Sequence, residues 1–163
     1  MERLFFALGL LLGWACTSSP PAPKCPYRPE PIFSSNLPHV LKYHFERQGT
    51  QSIESLLLDT QVYLEIFQEV CRDTRQEFRF TVKGDFSRYV DSLWLKEAVR
   101  QLTFLSTFSP QQAPLKAWAD AIEAVRPGMR LGEDTELQPG IFIRVDRILS
   151  PEQSTLLVVL AQH

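Results

Sequence analysis

The chain has 163 residues, of which 44% are hydrophobic and 22% charged, and its formal net charge at pH 7 is −2. This length suits one globular domain and excludes a second of similar size. Because no excess of basic residues would draw the chain to phosphate groups, we expect no nucleic-acid partner.

The chain begins with an apolar segment. Residues 4–15 read LFFALGLLLGWA, which suits the core of a signal peptide and is too short to cross a bilayer as a helix. Gly13 and Ala15 are small residues of the kind that a signal peptidase accepts before its cleavage site. We therefore predict a signal peptide over 1–15. A buried helix is the alternative, but the prolines that follow could not continue it.

Cys16, which follows the small residues Gly13 and Ala15, resembles the invariant cysteine of bacterial lipoproteins. In that family the cysteine becomes the N-terminus, carries a diacylglyceryl group on its sulfur, and usually receives a further acyl chain such as palmitate. The resemblance implies lipidation at Cys16 and an anchor in the membrane of the cell envelope. In the sorting pattern of that family, an Asp after the cysteine retains the protein at the inner membrane. Thr17 occupies this position here, which favours the outer membrane. An ordinary signal peptidase could cut at the same bond and release the protein into the periplasm.

A proline-rich segment comes next. Residues 16–38 contain seven prolines and few apolar residues, which is typical of a semi-rigid linker. Ile32, Phe33 and Leu37 could pack the end of this linker onto the domain. We expect a single domain over 39–163.

The three cysteines are Cys16, Cys25 and Cys71. If Cys16 carries lipid, the other two form an even set that can pair in the oxidising compartment to which an exported protein goes. A Cys25–Cys71 disulfide would tie the linker to the domain. The alternative is a buried thiol at Cys71 and an exposed thiol on a flexible linker at Cys25.

Strands are predicted over 52–59, 61–70 and 75–82, because apolar and polar residues alternate there. Residues 37–49 fit neither period cleanly, and a short strand and a single helical turn are the two alternatives there. The faces of the second and third strands can be assigned. Val62, Leu64, Ile66, Phe78, Phe80 and Val82 lie on one face, and Tyr63, Glu65, Phe67, Glu77, Arg79 and Thr81 lie on the other.

Two helices are predicted next, over 87–108 and 114–128. Their apolar residues recur at helical spacing, and Ser87 or Asp85 could cap the first. Further strands are predicted over 141–149 and 154–162. The fold class is therefore α+β, with an antiparallel sheet of about five strands and two helices packed on one face.

No motif for catalysis is present. The chain has no HExxH, CxxC, GxSxG or GxxxxGKS pattern. We therefore expect a protein that is not an enzyme, without a metal site or a cofactor.

Several aromatic residues and arginines are predicted to lie on the face of the sheet opposite the helices. Such side chains are typical of protein contact sites. The sequence therefore predicts an exported, lipid-anchored binding or assembly module of the cell envelope that contacts an envelope protein. The alternative is a small domain that binds an apolar ligand or lipid between helices and sheet. The predicted contact residues are Tyr63, Phe67, Arg79, Phe142 and Arg144.

Overall fold

The computed structural model describes residues 25–71 and 73–162. The predicted signal peptide and Cys16 lie outside the described residues. The described chain forms one antiparallel sheet and two helices. In chain order the elements are β1 (Val40–Gln48), β2 (Gln51–Leu58), β3 (Tyr63–Val70), β4 (Thr74–Lys83), α1 (Asp91–Leu105), α2 (Pro114–Val125), β5 (Thr135–Gln138), β6 (Ile141–Leu149) and β7 (Gln153–Gln162).

The strand order across the sheet is β1-β2-β3-β4-β7-β6-β5. The first four strands form a meander in which consecutive strands pair through short turns. Both helices follow β4, and the chain then returns through β5 and β6. β7 enters the centre of the sheet, where it pairs with β4 on one side and β6 on the other.

The predicted α+β class with an antiparallel sheet and two helices is confirmed, but the strand count of about five is wrong, because the sheet has seven strands. The ambiguous segment 37–49 contains β1, an edge strand whose register shifts between Val40 and Lys42 and interrupts the alternation. β5 has only four residues and a similar shift between Glu136 and Gln138.

One hydrophobic core lies between the helices and one face of the sheet. The strands contribute the predicted face, with Leu64, Ile66 and Phe78 fully buried. The helices contribute Trp94, Leu95, Ala98, Leu102, Leu105, Leu115, Ala119 and Ile122. Burial of these side chains is the main stabilising contribution, at about 1.5–3 kcal/mol for each large one.

The start of α1 differs from the prediction. The helix begins at Asp91 rather than at 87, and its N-cap is Val90, which makes no capping hydrogen bond through its side chain. Asp85 instead accepts the backbone N–H of Ser87 at 2.8 Å in a turn before the helix. Val90 and Leu93 fit the apolar stripe of the helix in the sequence, yet they are 61% and 42% exposed.

Residues 25–38, here called the arm, pack against the domain instead of extending from it. Cys25 and Cys71 form a disulfide with their Cα atoms 5.6 Å apart. Phe33 is buried, with Ile32 and Leu37 partly buried beside it. The arm therefore belongs to the packed part of the described chain.

A buried carboxylate holds the arm in place. Glu54 on β2 is fully buried, and its two oxygens accept the backbone N–H groups of Ile32 and Phe33 at 2.8 and 2.7 Å. Gln112 donates to the carbonyl of Ile32 at 2.6 Å. Burial raises the pKa of Glu54, and the hydrogen bonds from the arm oppose that shift. Burial and the nearby Glu54 raise the pKa of Tyr43 as well.

Within the described ranges, no helix has both the length and the apolar character that crossing a membrane requires.

Candidate functional site

The face of the sheet opposite the helices, here called the open face, is covered by no other element of the described chain. The five predicted contact residues all lie on it, because each occupies the register position opposite to the buried set. Tyr63 on β3 is 41% exposed, and its hydroxyl donates to Glu65 at 3.5 Å. The alternation of the strands alone therefore placed these residues on one surface.

Glu77 organises the centre of the open face. Its side chain is only 10% exposed, although it lies on the outward side of β4. One oxygen accepts from Arg75 at 2.6 Å, and the other accepts from Nε of Arg79 at 2.7 Å. The two guanidinium groups screen the carboxylate from water, and it holds both of them in defined positions.

Arg79 is also stacked on an aromatic ring. Its guanidinium carbon lies 4.1 Å from the centre of the Phe67 ring, within the range of a cation–π contact. Sequence reasoning predicted both residues as contact residues, and the structure brings them together on neighbouring strands. Because Glu77 and Phe67 fix the guanidinium, Arg79 would lose little side-chain entropy on binding a partner.

Phe67 and Glu77 belong to a row of paired residues that crosses five strands. Ile53 pairs with Phe67, Phe67 with Glu77, Glu77 with Val159, and Val159 with Arg144. Four strand spacings make this row about 19 Å long. The row contains three apolar side chains and the charged side chains of Glu77 and Arg144, so that polar and apolar contacts are offered along the same line.

A shallow hollow of about 490 Å³ opens beside the row, at the end of the sheet near the Cys25–Cys71 disulfide. Ile53, Phe67, Glu77 and Arg79 line it together with polar residues of β1 and β2. The hollow therefore gives the otherwise flat open face a concave part.

Phe142 and Arg144 lie apart from this centre. Both are on β6, so that β7 separates them from β4. Arg144 lies 3.8 Å from the carboxylate of Asp134, in the turn before β5. The predicted contact residues thus form two groups on one face, and Phe67 and Arg79 are in direct contact.

A second concavity lies on the covered side of the sheet. This groove, of about 550 Å³, runs between α1 and the ends of β3, β4 and β7. Its walls are mainly apolar, and its polar residues are concentrated on the helix. The lining includes Val62, Phe80, Val82, Phe86, Tyr89, Leu93, Trp94, Lys96, Glu97, Arg100, Phe104 and Leu156.

Sequence reasoning did not assign a role to Glu54 or Glu77. Glu54 had a detectable signal, because it occupies the same face of β2 as the buried residues Leu56 and Leu58. A charged residue at such a position needs a partner. Glu77 had no detectable signal, because an outward-facing glutamate between two arginines also occurs in ordinary exposed strands.

No cluster of three or more His, Cys, Asp or Glu residues suited to a metal ion occurs within residues 25–71 and 73–162. His39 is paired with Asp59, with 2.7 Å between Nδ1 and Oδ2. The described residues thus form a contact surface and a groove. Comparison with protein-family models, with curated proteins and with solved structures gives no match to this chain.

Proposed function

We propose that the protein is an exported binding or assembly module of the cell envelope, anchored through a lipid on Cys16, and that its open face docks a partner protein. The observation that carries the docking proposal is the fixed position of Arg79, between the buried carboxylate of Glu77 and the ring of Phe67, on a face that no described element covers.

The size of the open face supports this function. Six strand spacings and strands of eight residues make the face about 29 Å by 26 Å, or about 750 Å². One partner contributes about 800 Å² to a standard protein interface. The open face is therefore large enough to form a specific complex.

The side chains of the open face favour a folded protein as the partner. Ile53 and Tyr63 are 39% and 41% exposed, and Ile148 is 57% exposed. Arginine and aromatic residues are enriched at interface positions that contribute most to binding. Glu77 and Arg144 place one charge of each sign in the row, so the face suits a protein surface of mixed polarity rather than a polyanion.

The Cys25–Cys71 disulfide supports export, because disulfides persist in the periplasm and outside the cell and are rare in the cytosol. Cys25, which the disulfide ties to the domain, comes nine positions after Cys16 in the sequence. Nine residue steps, at no more than about 3.6 Å each, would keep Cys25 within about 32 Å of the anchor.

Photo-crosslinking in the cell envelope tests this function. A photo-reactive amino acid at Ile53, on the open face, should yield a discrete crosslinked protein. The same group at Val90 is the matched control, since Val90 is also exposed and apolar but lies at the start of α1. The Tyr63→Ser substitution should remove the Ile53 product, whereas Tyr27→Ser, which alters an exposed tyrosine of the arm, should leave it unchanged. Identical products from Ile53 and Val90, or none from Ile53, would contradict the proposal.

A further inference from the structure

β1 forms one edge of the sheet and pairs with β2 alone. In the part of the chain that the structure describes, no hydrogen bond joins the backbone of residues 42–48 to any segment other than β2. A strand has N–H and C=O groups on both of its sides, so the outer groups of β1 are available to a further strand.

The two edges of the sheet differ in how readily they accept another strand. β5, at the other edge, has four residues and a register shift between Glu136 and Gln138. Short and irregular edge strands of this kind oppose pairing with another chain. β1 has nine residues, and its register shift lies at its start, so residues 42–48 pair with β2 without interruption. β1 is therefore the edge that suits the addition of a strand.

The side chains of β1 are arranged symmetrically about His44. Lys42, His44 and Glu46 lie on the open face, and all three are exposed. Tyr43 and Phe45 flank His44 on the other face and are half-buried. When a second copy pairs antiparallel, with its His44 opposite this one, each Lys42 lies opposite a Glu46. In the same register, each Tyr43 lies opposite a Phe45.

This register brings together opposite charges and aromatic rings. Oppositely charged residues and aromatic residues stabilise neighbouring strands when they lie directly opposite each other. Glu46 accepts a hydrogen bond from Gln48 at 3.0 Å and, like Lys42, has no ion-pair partner among the described residues. A lysine on an edge strand normally prevents pairing with another chain. Here Glu46 of the second copy compensates Lys42, so the lysine selects one register instead of preventing all of them.

We propose that two copies of the chain form a dimer through β1, paired antiparallel about His44, so that their sheets become one continuous sheet. Residues opposite each other in a strand pair share a face, so the open faces of both copies lie on the same side. The interface is small, because it consists mainly of one strand from each copy. We therefore expect a reversible dimer that dissociates on dilution, so that dilute protein is monomeric.

The dimer does not rest on the proposed docking function. A partner protein could bind the open face of a monomer, and the dimer could form without that partner. Because the tests below use the purified protein alone, their failure would leave the docking proposal untouched.

Cysteine cross-linking tests the register. In His44→Cys the two new thiols would lie opposite each other, at a Cα separation of about 4.5–5.5 Å that a disulfide spans. Mild oxidation should therefore give a covalent dimer. In Lys42→Cys or Glu46→Cys alone, the two new thiols would lie about 14 Å apart. Each of these variants should stay monomeric by itself and cross-link when the two are mixed. The natural protein gives the background from its own cysteines.

Charge reversal tests the pairing of Lys42 with Glu46. The natural protein should show a monomer–dimer equilibrium in sedimentation experiments at concentrations up to on the order of 1 mM. Lys42→Glu and Glu46→Lys each place like charges opposite each other and should weaken the dimer about tenfold, whereas Lys83→Glu, at an exposed position that ends β4, should leave it within about twofold.

A mixture of the two charge-reversal variants completes the test. Equimolar Lys42→Glu and Glu46→Lys should dimerise again, because each strand then meets the opposite charges, and this result requires both variants to be folded. A natural protein that stays monomeric, cross-linking of Lys42→Cys by itself, or a mixture that dimerises no better than its components would overturn the proposal.

Discussion

The Oε1 atom of Glu54 accepts the backbone N–H of Phe33 at 2.7 Å, across 21 residues of sequence. With the second oxygen bound to the N–H of Ile32, one side chain fixes the arm against the sheet. Hydrogen bonds to a buried charged group contribute about 1.5–3 kcal/mol each. Glu54→Ala should therefore lower the free energy of unfolding by about 3 kcal/mol in urea titrations. Glu46→Ala, at an exposed position of β1, should change it by less than about 0.5 kcal/mol. Similar losses in both variants would contradict this role of Glu54.

The stability of the protein should depend on pH through the same side chain. Because burial raises the pKa of Glu54 in the folded state above its usual value of 4.5, the folded state retains the proton more strongly than the unfolded state. The contribution of Glu54 to stability is thus fully present below pH 4.5 and is lost as the pH rises through the folded-state pKa. Unfolding free energies of the natural protein should fall relative to those of Glu54→Gln over this window. If the natural protein instead became more stable relative to Glu54→Gln as the pH rises, the arm hydrogen bonds would outweigh the effect of burial.

The Cys25–Cys71 disulfide should stabilise the fold by closing a long loop. The two cysteines are 46 residues apart in sequence, and a loop of that length contributes about 2–4 kcal/mol. The double variant Cys25→Ser/Cys71→Ser should lose that amount in urea titrations. Intact mass measurements after alkylation without reducing agent should find neither cysteine modified. Alkylation of both cysteines would show that they are not bonded, and the disulfide would then no longer support export.

The buried position of Glu77 predicts that its substitution affects both the stability of the fold and crosslinking to the partner. Glu77→Gln weakens the hold on Arg75 and Arg79, which should cost about 1–2 kcal/mol of stability, since both arginines are more than a third exposed. Arg79 would then move more freely over Phe67, so crosslinking from Ile53 should weaken. Glu152→Gln, at an exposed position in the turn before β7, should affect neither measurement. Loss of stability without any change in crosslinking would limit Glu77 to a structural role.

Lipidation at Cys16 has a direct measurement. Mass spectrometry should show that the mature protein begins at Cys16 and carries the added mass of the acyl chains. The Cys16→Ala variant should no longer be found in the membrane fraction. Each buried methylene contributes about 0.8 kcal/mol to anchoring, so two or more chains hold a protein firmly. A mature protein that begins at Cys16 without lipid would indicate an ordinary signal peptidase and release into the periplasm.

Alternation in the sequence was sufficient to predict which face of β3 and β4 is buried. Leu64, Ile66 and Phe78 lie in the core, and Tyr63 and Arg79 lie outside it, because side chains on a strand alternate without exception unless the register shifts. The bulges in β1 and β5 are such shifts, so these strands could not be recognised.

Helical spacing was a weaker guide at the end of a helix. Leu93 follows the apolar stripe of α1 and yet remains 42% exposed at an open groove. The contact between Glu54 and the arm depends on tertiary packing between segments that are distant in sequence. No local pattern contains that information.

The central position of β7 has a consequence for how the protein folds. β7 follows the six other strands in sequence, and its partner β4 is separated from it by the whole helical region. Pairing of such distant segments is slow, because the chain entropy of a long loop must be lost before any contact compensates for it. Until β7 arrives, the β1–β4 meander and the β5–β6 hairpin cannot join. A chain translocated from its N-terminus would therefore stay incompletely folded, and able to pass through a narrow channel, until its last strand follows.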